Sequence, residues 1–449
     1  MCGVVGIYCQ HPKLTSRYAY YSLFALQHRG QESAGIGVYN GKLKLHRGMG
    51  LVSEVFSKDV LEKLQGKVAV AHVRYSTTGL SRIENAQPFV VESRPGVLAI
   101  AHNGNLVNYR ELRYELENKG NIFTTDSDTE VIAQLLSKFL VKKDLDSSLR
   151  SLTEILVGSY SLVFSINDTL VGFRDPLGFR PLCLGEMEDG YIICSESCAI
   201  DTVGGKFVRD IKPGEAVIIE DGEIDFIRVT KGREKTFCIF EYIYFARPDS
   251  IIDGVSVYKA RTEMGKKLAK EAPVIADYVS AVPDSGITAA IGYARELNLP
   301  YMECLIKNRY IGRTFIMPKQ ELRENSVRLK VNVIKENISG KRIVLVDDSI
   351  VRGTTSKRIL SMLKSSGAKE VHLRIGSPPI ISPCYFGIDM KTREELIAAN
   401  LKVEEIEKRL GADTLAYLSL EGLLEALKNA GGDGKYCLAC LTGKYPALI

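Results

Sequence analysis

Apolar and polar positions alternate in short runs along the first half of the chain. Residues 66–73, 97–102, 159–166, 191–194 and 216–219 are apolar or alternating stretches bounded by Gly, Asn and Pro. Side chains on a strand face opposite sides with a period of two, so these runs predict strands. Between them, residues 129–140 carry apolar side chains at 131, 132, 135, 136 and 139. That spacing predicts a helix, opened by Asp126 and Asp128 at the end where its dipole favours acids. Lys212-Pro213-Gly214 and Asp221-Gly222 read as turns. The polar stretch 229–235 reads as a domain boundary.

The second half has a different rhythm. Residues 274–282 predict a strand, 283–286 a loop and 287–298 a helix. Residues 342–346, 347–355 and 356–366 repeat that order, and 371–375 predict one more strand. Strands alternating with helices predict a parallel sheet covered on both faces. No internal repeat or low-complexity segment stands out.

Composition narrows the class. A chain of 449 residues suggests two or three domains, and 45% apolar residues suffice for ordinary cores. The net charge of +5 comes without a long basic block, which speaks against nucleic acid or a membrane surface as partner. No apolar run approaches the roughly 18 residues of a spanning helix. The N-terminus lacks the basic and apolar regions of a signal peptide. A cytoplasmic protein is expected, with its ten cysteines as thiols or metal ligands rather than disulfides. Cys437-Leu438-Ala439-Cys440 is a CxxC that suits zinc, an iron–sulfur cluster or redox chemistry. Either metal reading needs two further ligands.

Cys2 carries the most specific chemistry. A small residue after the initiator allows Met1 to be removed, leaving a thiol and a free α-amine on one residue. An α-amine titrates near about 8 and can take the thiol's proton, directly or through water. Such a nucleophile needs an oxyanion hole and a substrate clamp. Asn103 and Gly104, in His102-Asn103-Gly104-Asn105, offer an amide and a backbone N–H; alone, Asn-Gly is also an ordinary turn. Arg74 offers a cation for a substrate carboxylate, or is a surface charge. Asp128 offers an anion for a substrate ammonium, or is a helix cap. A substrate with both charges and an acyl side chain is an amino acid such as glutamine. A Cys–His pair using His72 or His102 is the competing mechanism.

In the second half, the apolar run Val344-Leu345-Val346 ends in Asp347-Asp348 and the turn Ser349-Ile350-Val351-Arg352-Gly353-Thr354-Thr355. Backbone N–H groups where a helix opens suit a phosphate, and Thr354 and Thr355 add hydroxyls. The paired carboxylates stand where ribose hydroxyls or a hard cation bind, or cap the helix.

These motifs resemble two known families. CGVVGI, QHRGQESAGI, HVRYSTTG, HNGNLVN and SDTE occur in order, as in the glutaminase domain of N-terminal-nucleophile (class II) amidotransferases. The resemblance implies a four-layer αββα fold over residues 2–230. It implies Cys2 as nucleophile, Asn103 and Gly104 as oxyanion hole, and Arg74 and Asp128 as glutamine clamp. VLVDDSIVRGTT resembles the phosphoribosyl diphosphate (PRPP) signature of type I phosphoribosyltransferases, implying a parallel-sheet domain over 236–430. Ser285, in the diphosphate-loop match Pro283-Asp284-Ser285-Gly286, joins Asp347 and Asp348 as a Mg²⁺ candidate. Arg352, Gly353, Thr354 and Thr355 complete the implied PRPP site. Residues 307–330, including Arg309 to Phe315, resemble the family's lid.

Together the halves resemble the amidophosphoribosyltransferase family, in its iron–sulfur subgroup. Glutamine hydrolysed at Cys2 would supply ammonia to C1 of PRPP, in the first committed step of purine biosynthesis. Cys238, Cys384, Cys437 and Cys440 match the subgroup's ligands for a 4Fe–4S cluster, with 431–449 as a tail returning to it; zinc would accept the same set. Cys9, Cys183, Cys194, Cys198 and Cys304 read as packing residues. Some cluster-bearing relatives have a longer propeptide, whereas here only Met1 precedes the cysteine. The family also implies feedback by purine nucleotides and a homotetramer. Glucosamine-phosphate synthases, with sugar-isomerase domains, and asparagine synthetases, with an SGGxDS-type ATP loop, share the first half; no such loop is found here, while the PRPP motif is present. A non-catalytic PRPP-sensing regulator is the alternative of a different class.

Overall fold

The structure is a computed structural model that describes residues 2–76, 78–230, 234–308 and 330–446. Its first half is built on two stacked antiparallel sheets. One has seven strands in the order Lys206–Asp210, Cys183–Met187, Gly190–Cys194, Gly3–Cys9, Val68–Arg74, Ser33–Tyr39 and Leu43–Met49. The other has six: Glu223–Arg228, Glu215–Glu220, Thr169–Arg174, Gly158–Ile166, Gly96–Leu106 and Phe89–Ser93.

Side-chain alternation sorts these strands into layers. On the N-terminal strand, Val5, Ile7 and Cys9 join a core with Ala19 and Leu23 of the helix Thr15–Ala25. Val4 and Tyr8 face the other way, into a core shared with Ala99, Val163 and Val217 of the second sheet. That sheet's outer face packs Leu98, Ile100 and Leu162 against Val131, Ile132 and Leu136 of Asp128–Leu140. Three cores separate four layers, helix, sheet, sheet and helix. The sheets approach closely at Gly6, where an added Cβ would lie 2.6 Å from Val163.

All five stretches read as strands in the first half form strands. The N-terminal strand escapes that reading because it is buried on both faces, so its apolar run is continuous rather than alternating.

The second half centres on a four-stranded parallel sheet ordered Tyr278–Ala281, Arg342–Asp347, Glu370–Ile375 and Thr414–Tyr417. Helices Ile287–Glu296 and Thr354–Ser365 follow the first two strands, as the alternating pattern predicts. One core joins Val279, Val344 and Val346 to Val257–Glu271, Ile287–Glu296 and Leu420–Ala430. A second, with Ile343, Leu345, Ile359 and Leu363, fills the opposite face.

Near the C-terminus, Tyr436–Cys437 pairs in parallel with Phe237–Cys238, setting Cys437 opposite Cys238. Among the described residues, no helix is long and apolar enough to cross a membrane.

Candidate functional site

Cys2 immediately precedes the N-terminal strand Gly3–Cys9, at the end where Val68–Arg74 runs antiparallel beside it and pairs Val73 with Gly3. It is buried, and its main chain is held at both ends. Its nitrogen donates to Asn103 Oδ1 at 3.2 Å, and its carbonyl accepts from Arg29 Nε at 3.0 Å. Its Sγ lies 3.5 Å from the Tyr75 carbonyl oxygen, which accepts from the thiol. With Asn103 Oδ1 turned to Cys2, Nδ2 is left as a buried donor without a hydrogen-bond partner. A buried orphan donor costs folding free energy, about 1–3 kcal/mol, so its retention points to a ligand oxygen. Gly104 follows in the same strand under tight constraint: a Cβ there would sit 2.0 Å from the Ser159 carbonyl oxygen.

Arg74 closes the strand beside Cys2. Its guanidinium donates to Glu32 Oε1 at 2.6 Å and to the carbonyls of Leu80, Thr78 and Gly79. A carboxylate could reach this guanidinium only by displacing some of these partners. Glu32, absent from the sequence-based assignment, also accepts from the Ser76 backbone and hydroxyl. Asp128 stands in the first turn of Asp128–Leu140, behind Ser127, which supplies the actual N-cap. One of its oxygens accepts from the Leu106 N–H at 3.0 Å, and the other lies 3.8 Å from His102 Nδ1.

The two histidines offered as alternative bases are engaged elsewhere. His72 Nε2 meets the His102 carbonyl, and His102 meets Thr129 Oγ1 and the Ser159 carbonyl. Burial pushes His72 down to about 3 and also lowers His102. Imidazoles so desolvated are poor proton acceptors.

In the second half, the loops 282–286 and 348–353 leave the carboxyl ends of two neighbouring parallel strands. Ligands of open α/β sheets bind at such edges. The loops are bound to this edge: Val282 N–H donates to Val346 O at 2.9 Å. Gly286 lies so close that a Cβ would stand 2.4 Å from the Val346 carbonyl oxygen. Asp347 and Asp348 are buried, and burial raises both carboxyls above their usual range. Asp348's charge raises Asp347 further, while the hydroxyls of Ser285 and Ser349 pull Asp348 partly back. Two adjacent buried carboxyls with a hydroxyl beside them fit a hard cation or ribose hydroxyls.

Gly353 has φ of 75° at the N-cap of Thr354–Ser365, and Thr354 and Thr355 form its exposed first turn. Arg352 is exposed and turned to Glu395 at 2.6 Å. Asp284 pairs with Lys307. Residues 309–329 of the lid match, including Arg309 to Phe315, lie outside the described residues.

The four cysteines assigned to a cluster share one locality. Cys238 and Cys437 are strand partners, and each feels the charge of Cys384; Cys440 feels all three others. Burial pushes Cys238 up to about 11 and Cys437 up to about 12, and it also raises Cys440 well above the usual thiol range. Beside them lies the buried Arg180, whose Nε and Nη1 lack hydrogen-bond partners and whose charge is favoured by Cys238, Glu241 and Cys384 against its own burial. A desolvated guanidinium with free donors fits thiolates. Among the described residues, no three His, Cys, Asp or Glu side chains already form a metal cage. Of the other cysteines, Cys9, Cys183, Cys194, Cys198 and Cys304 are buried.

Contacts run between the two halves at the Cys2 site. Asn105 Nδ2 donates to the Tyr385 carbonyl at 2.9 Å, and Ser159 Oγ to the Phe386 carbonyl at 2.8 Å. The rings of Phe179 and Phe386 stack with centroids 4.3 Å apart.

Comparison with known proteins agrees with this division. The glutamine amidotransferase domain family matches residues 72–202, and the phosphoribosyl transferase domain family matches 253–375. The chain is 68% identical to the amidophosphoribosyltransferase of Archaeoglobus fulgidus over 450 aligned positions, covering 100% of this chain and 98% of that protein. It is 50% identical to the amidophosphoribosyltransferase of Bacillus subtilis, covering 100% of this chain and 94% of that one. The solved structure of the glutamine PRPP amidotransferase of B. subtilis, complexed with ADP and GMP, superimposes with a TM-score of 0.92. That match has 49% identity and covers 99% of this chain and 97% of the other. At these identities and this coverage, the chain belongs to the amidophosphoribosyltransferase family.

Proposed function

We propose that Cys2 is the glutaminase nucleophile of an amidophosphoribosyltransferase, with Asn103 and Gly104 as its oxyanion hole. The overall reaction is that of the family: ammonia from glutamine displaces diphosphate from C1 of PRPP, giving 5-phosphoribosylamine, glutamate and diphosphate. It is the first step of purine biosynthesis.

The assignment of Cys2 rests above all on Asn103. Its carbonyl oxygen receives the Cys2 nitrogen, leaving its buried amide N–H free beside the nucleophile. With Met1 removed, the Cys2 amine accepts the thiol proton as sulfur attacks the glutamine amide. The amine then returns that proton to the departing ammonia, leaving a glutamyl thioester. Water hydrolyses the thioester to glutamate. Asn103 Nδ2 donates to the oxyanion formed at each addition, and Arg74 and Asp128 hold the substrate's α-carboxylate and α-ammonium.

At the second site, Asp347, Asp348 and Ser285 would hold Mg²⁺ and the ribose hydroxyls of PRPP. The ion would neutralise diphosphate as it leaves. Thr354, Thr355 and the Gly353 turn receive the 5-phosphate, with Arg352 leaving Glu395 to join them. Cys238, Cys384, Cys437 and Cys440 would hold a 4Fe–4S cluster as thiolates, and the charge of the nearby buried Arg180 would favour that ionised form. The cluster's role is structural, tying the tail to the second domain.

The domain limits in this reading are 2–230 and 236–430, with the tail 431–449. The protein is cytoplasmic and a homotetramer, with purine nucleotides as feedback inhibitors. The bound ADP and GMP of the B. subtilis enzyme support that regulation.

Intact mass measured beside glutaminase activity tests the mechanism. Active protein is expected to have lost Met1. Full activity in protein that retains Met1 would rule out the terminal amine as base.

A further inference from the structure

The residue that fixes the Cys2 carbonyl is itself fixed by the other half of the chain. Arg29 is buried, and its Nε donates to the Cys2 carbonyl at 3.0 Å. The rest of its guanidinium is held by two buried glutamates. Nη1 and Nη2 donate to Glu241 Oε2 and Oε1 at 3.0 and 2.8 Å, a two-point fork. Nη1 also meets Glu196 Oε1. Burial opposes the Arg29 charge, and Glu241 and Glu196 together outweigh it. Arg180 Nη1 lies 3.5 Å from Glu241 Oε1, so two buried cations face two buried anions.

The network straddles the seam. Arg29, Arg180 and Glu196 come from the first half. Glu241 opens the segment Glu241–Phe245 of the second. Glu196 is met from across the seam by the Arg247 backbone N–H at 2.9 Å and the Ser250 hydroxyl at 2.7 Å. His28 Nε2 stands 2.7 Å from its other oxygen.

A guanidinium is planar, so a carboxylate gripping its Nη edge fixes the direction of Nε–H. That N–H ends on the main chain of the nucleophile. We propose that Glu241 is a positioning residue for Cys2: through Arg29 it sets the nucleophile's main chain and makes glutamine hydrolysis depend on how the two halves are seated. This rests on the assignment of Cys2 as nucleophile.

Glu241→Gln keeps the shape but sets an amide N–H₂ against a guanidinium donor, so the fork cannot be kept. Small misplacement of a reacting group can cost about 10²-fold in rate. The expected result for Glu241→Gln is a glutamine-dependent kcat lowered about 10- to 100-fold, with KM for glutamine within about twofold. Diphosphate release with ammonia should stay at the parent rate. Alkylation of Cys2 by iodoacetamide, followed by peptide mass, should slow in step with kcat. Glu241→Asp, which restores the charge, should recover part of the loss. If Glu241→Gln does not fold, Glu241→Asp serves alone, since it keeps the charge and leaves the Arg29 contact with Cys2 in place while its shorter side chain loosens the fork; a glutamine-dependent kcat equal to the parent's would then overturn the proposal.

An unchanged glutamine-dependent kcat would overturn the proposal, as would equal loss of the ammonia-dependent rate. Cys2→Ala, run in parallel, separates the two readings. Glutamine use surviving in Cys2→Ala refutes the nucleophile assignment. Glutamine use lost there but intact in Glu241→Gln refutes only the positioning role.

Discussion

Asn103→Ala is the most informative single substitution, because catalysis and stability should respond differently. The side chain has two functions separated by atom. Its Oδ1 accepts from the Cys2 nitrogen at 3.2 Å, and its Nδ2 is buried without a partner. Losing the first bond costs about 1 kcal/mol of stability and leaves a buried donor on Cys2. Deleting the unpartnered Nδ2 removes a penalty of about 1–3 kcal/mol. The terms oppose each other, so the fold should hold within about 2 kcal/mol of the parent. The transition state has no such offset. Removing one oxyanion donor costs about 10²–10³-fold in kcat, roughly 3–4 kcal/mol. Two assays read this out: urea unfolding for stability, and diphosphate release from PRPP with saturating glutamine or ammonia for catalysis. Glutamine turnover should fall by that factor while the ammonia rate stays unchanged. A loss of less than tenfold in glutamine turnover, in folded protein, would refute the oxyanion assignment.

Two further predictions concern charge and metal. Burial lowers His72 to about 3, while the unfolded side chain titrates near about 6.5. Its contribution to stability is therefore complete above about pH 6.5 and is lost as pH falls towards 3, by up to about 1.4 kcal/mol per unit. His72→Gln, which retains a donor for the His102 carbonyl, should flatten urea stability between about pH 6 and pH 4; an unchanged slope would contradict the buried neutral imidazole. Cys384→Ser should lower the iron and sulfide content of anaerobically purified protein, and unchanged iron would remove Cys384 from the ligand set. Zinc in place of iron in the parent would reassign the site.

Much of the architecture was legible in the order of apolar runs. Strands such as Gly158–Ile166 and Arg342–Asp347 are short, apolar and bounded by turn residues, so their local pattern matches their environment. The helix Thr15–Ala25 was not legible. It buries Thr15, Ser16 and Ser22 beside Ala19 and Leu23 and exposes Tyr21 and Phe24, which blurs its apolar stripe. At the site, local motifs located Cys2, Asn103, Asp347 and Asp348. Glu32 lay inside a quoted motif, yet its role depends on Arg74, 42 positions away. Arg29 and Glu241 are 212 positions apart, and no local pattern couples them. A lone acid in the apolar run Phe237–Phe245 was the available signal, since an unpaired buried charge is costly enough to imply a partner.

The central claim is that one chain carries two separable sites, one releasing ammonia at Cys2 and one consuming it at Asp347 and Asp348. It is tested most directly by Cys2→Ala, purified anaerobically and assayed for diphosphate release from PRPP and Mg²⁺. With glutamine, release should vanish; with ammonia, it should equal that of the parent. Loss of both activities in folded protein that still binds PRPP would contradict separate sites, and survival of both would remove Cys2 from the chemistry.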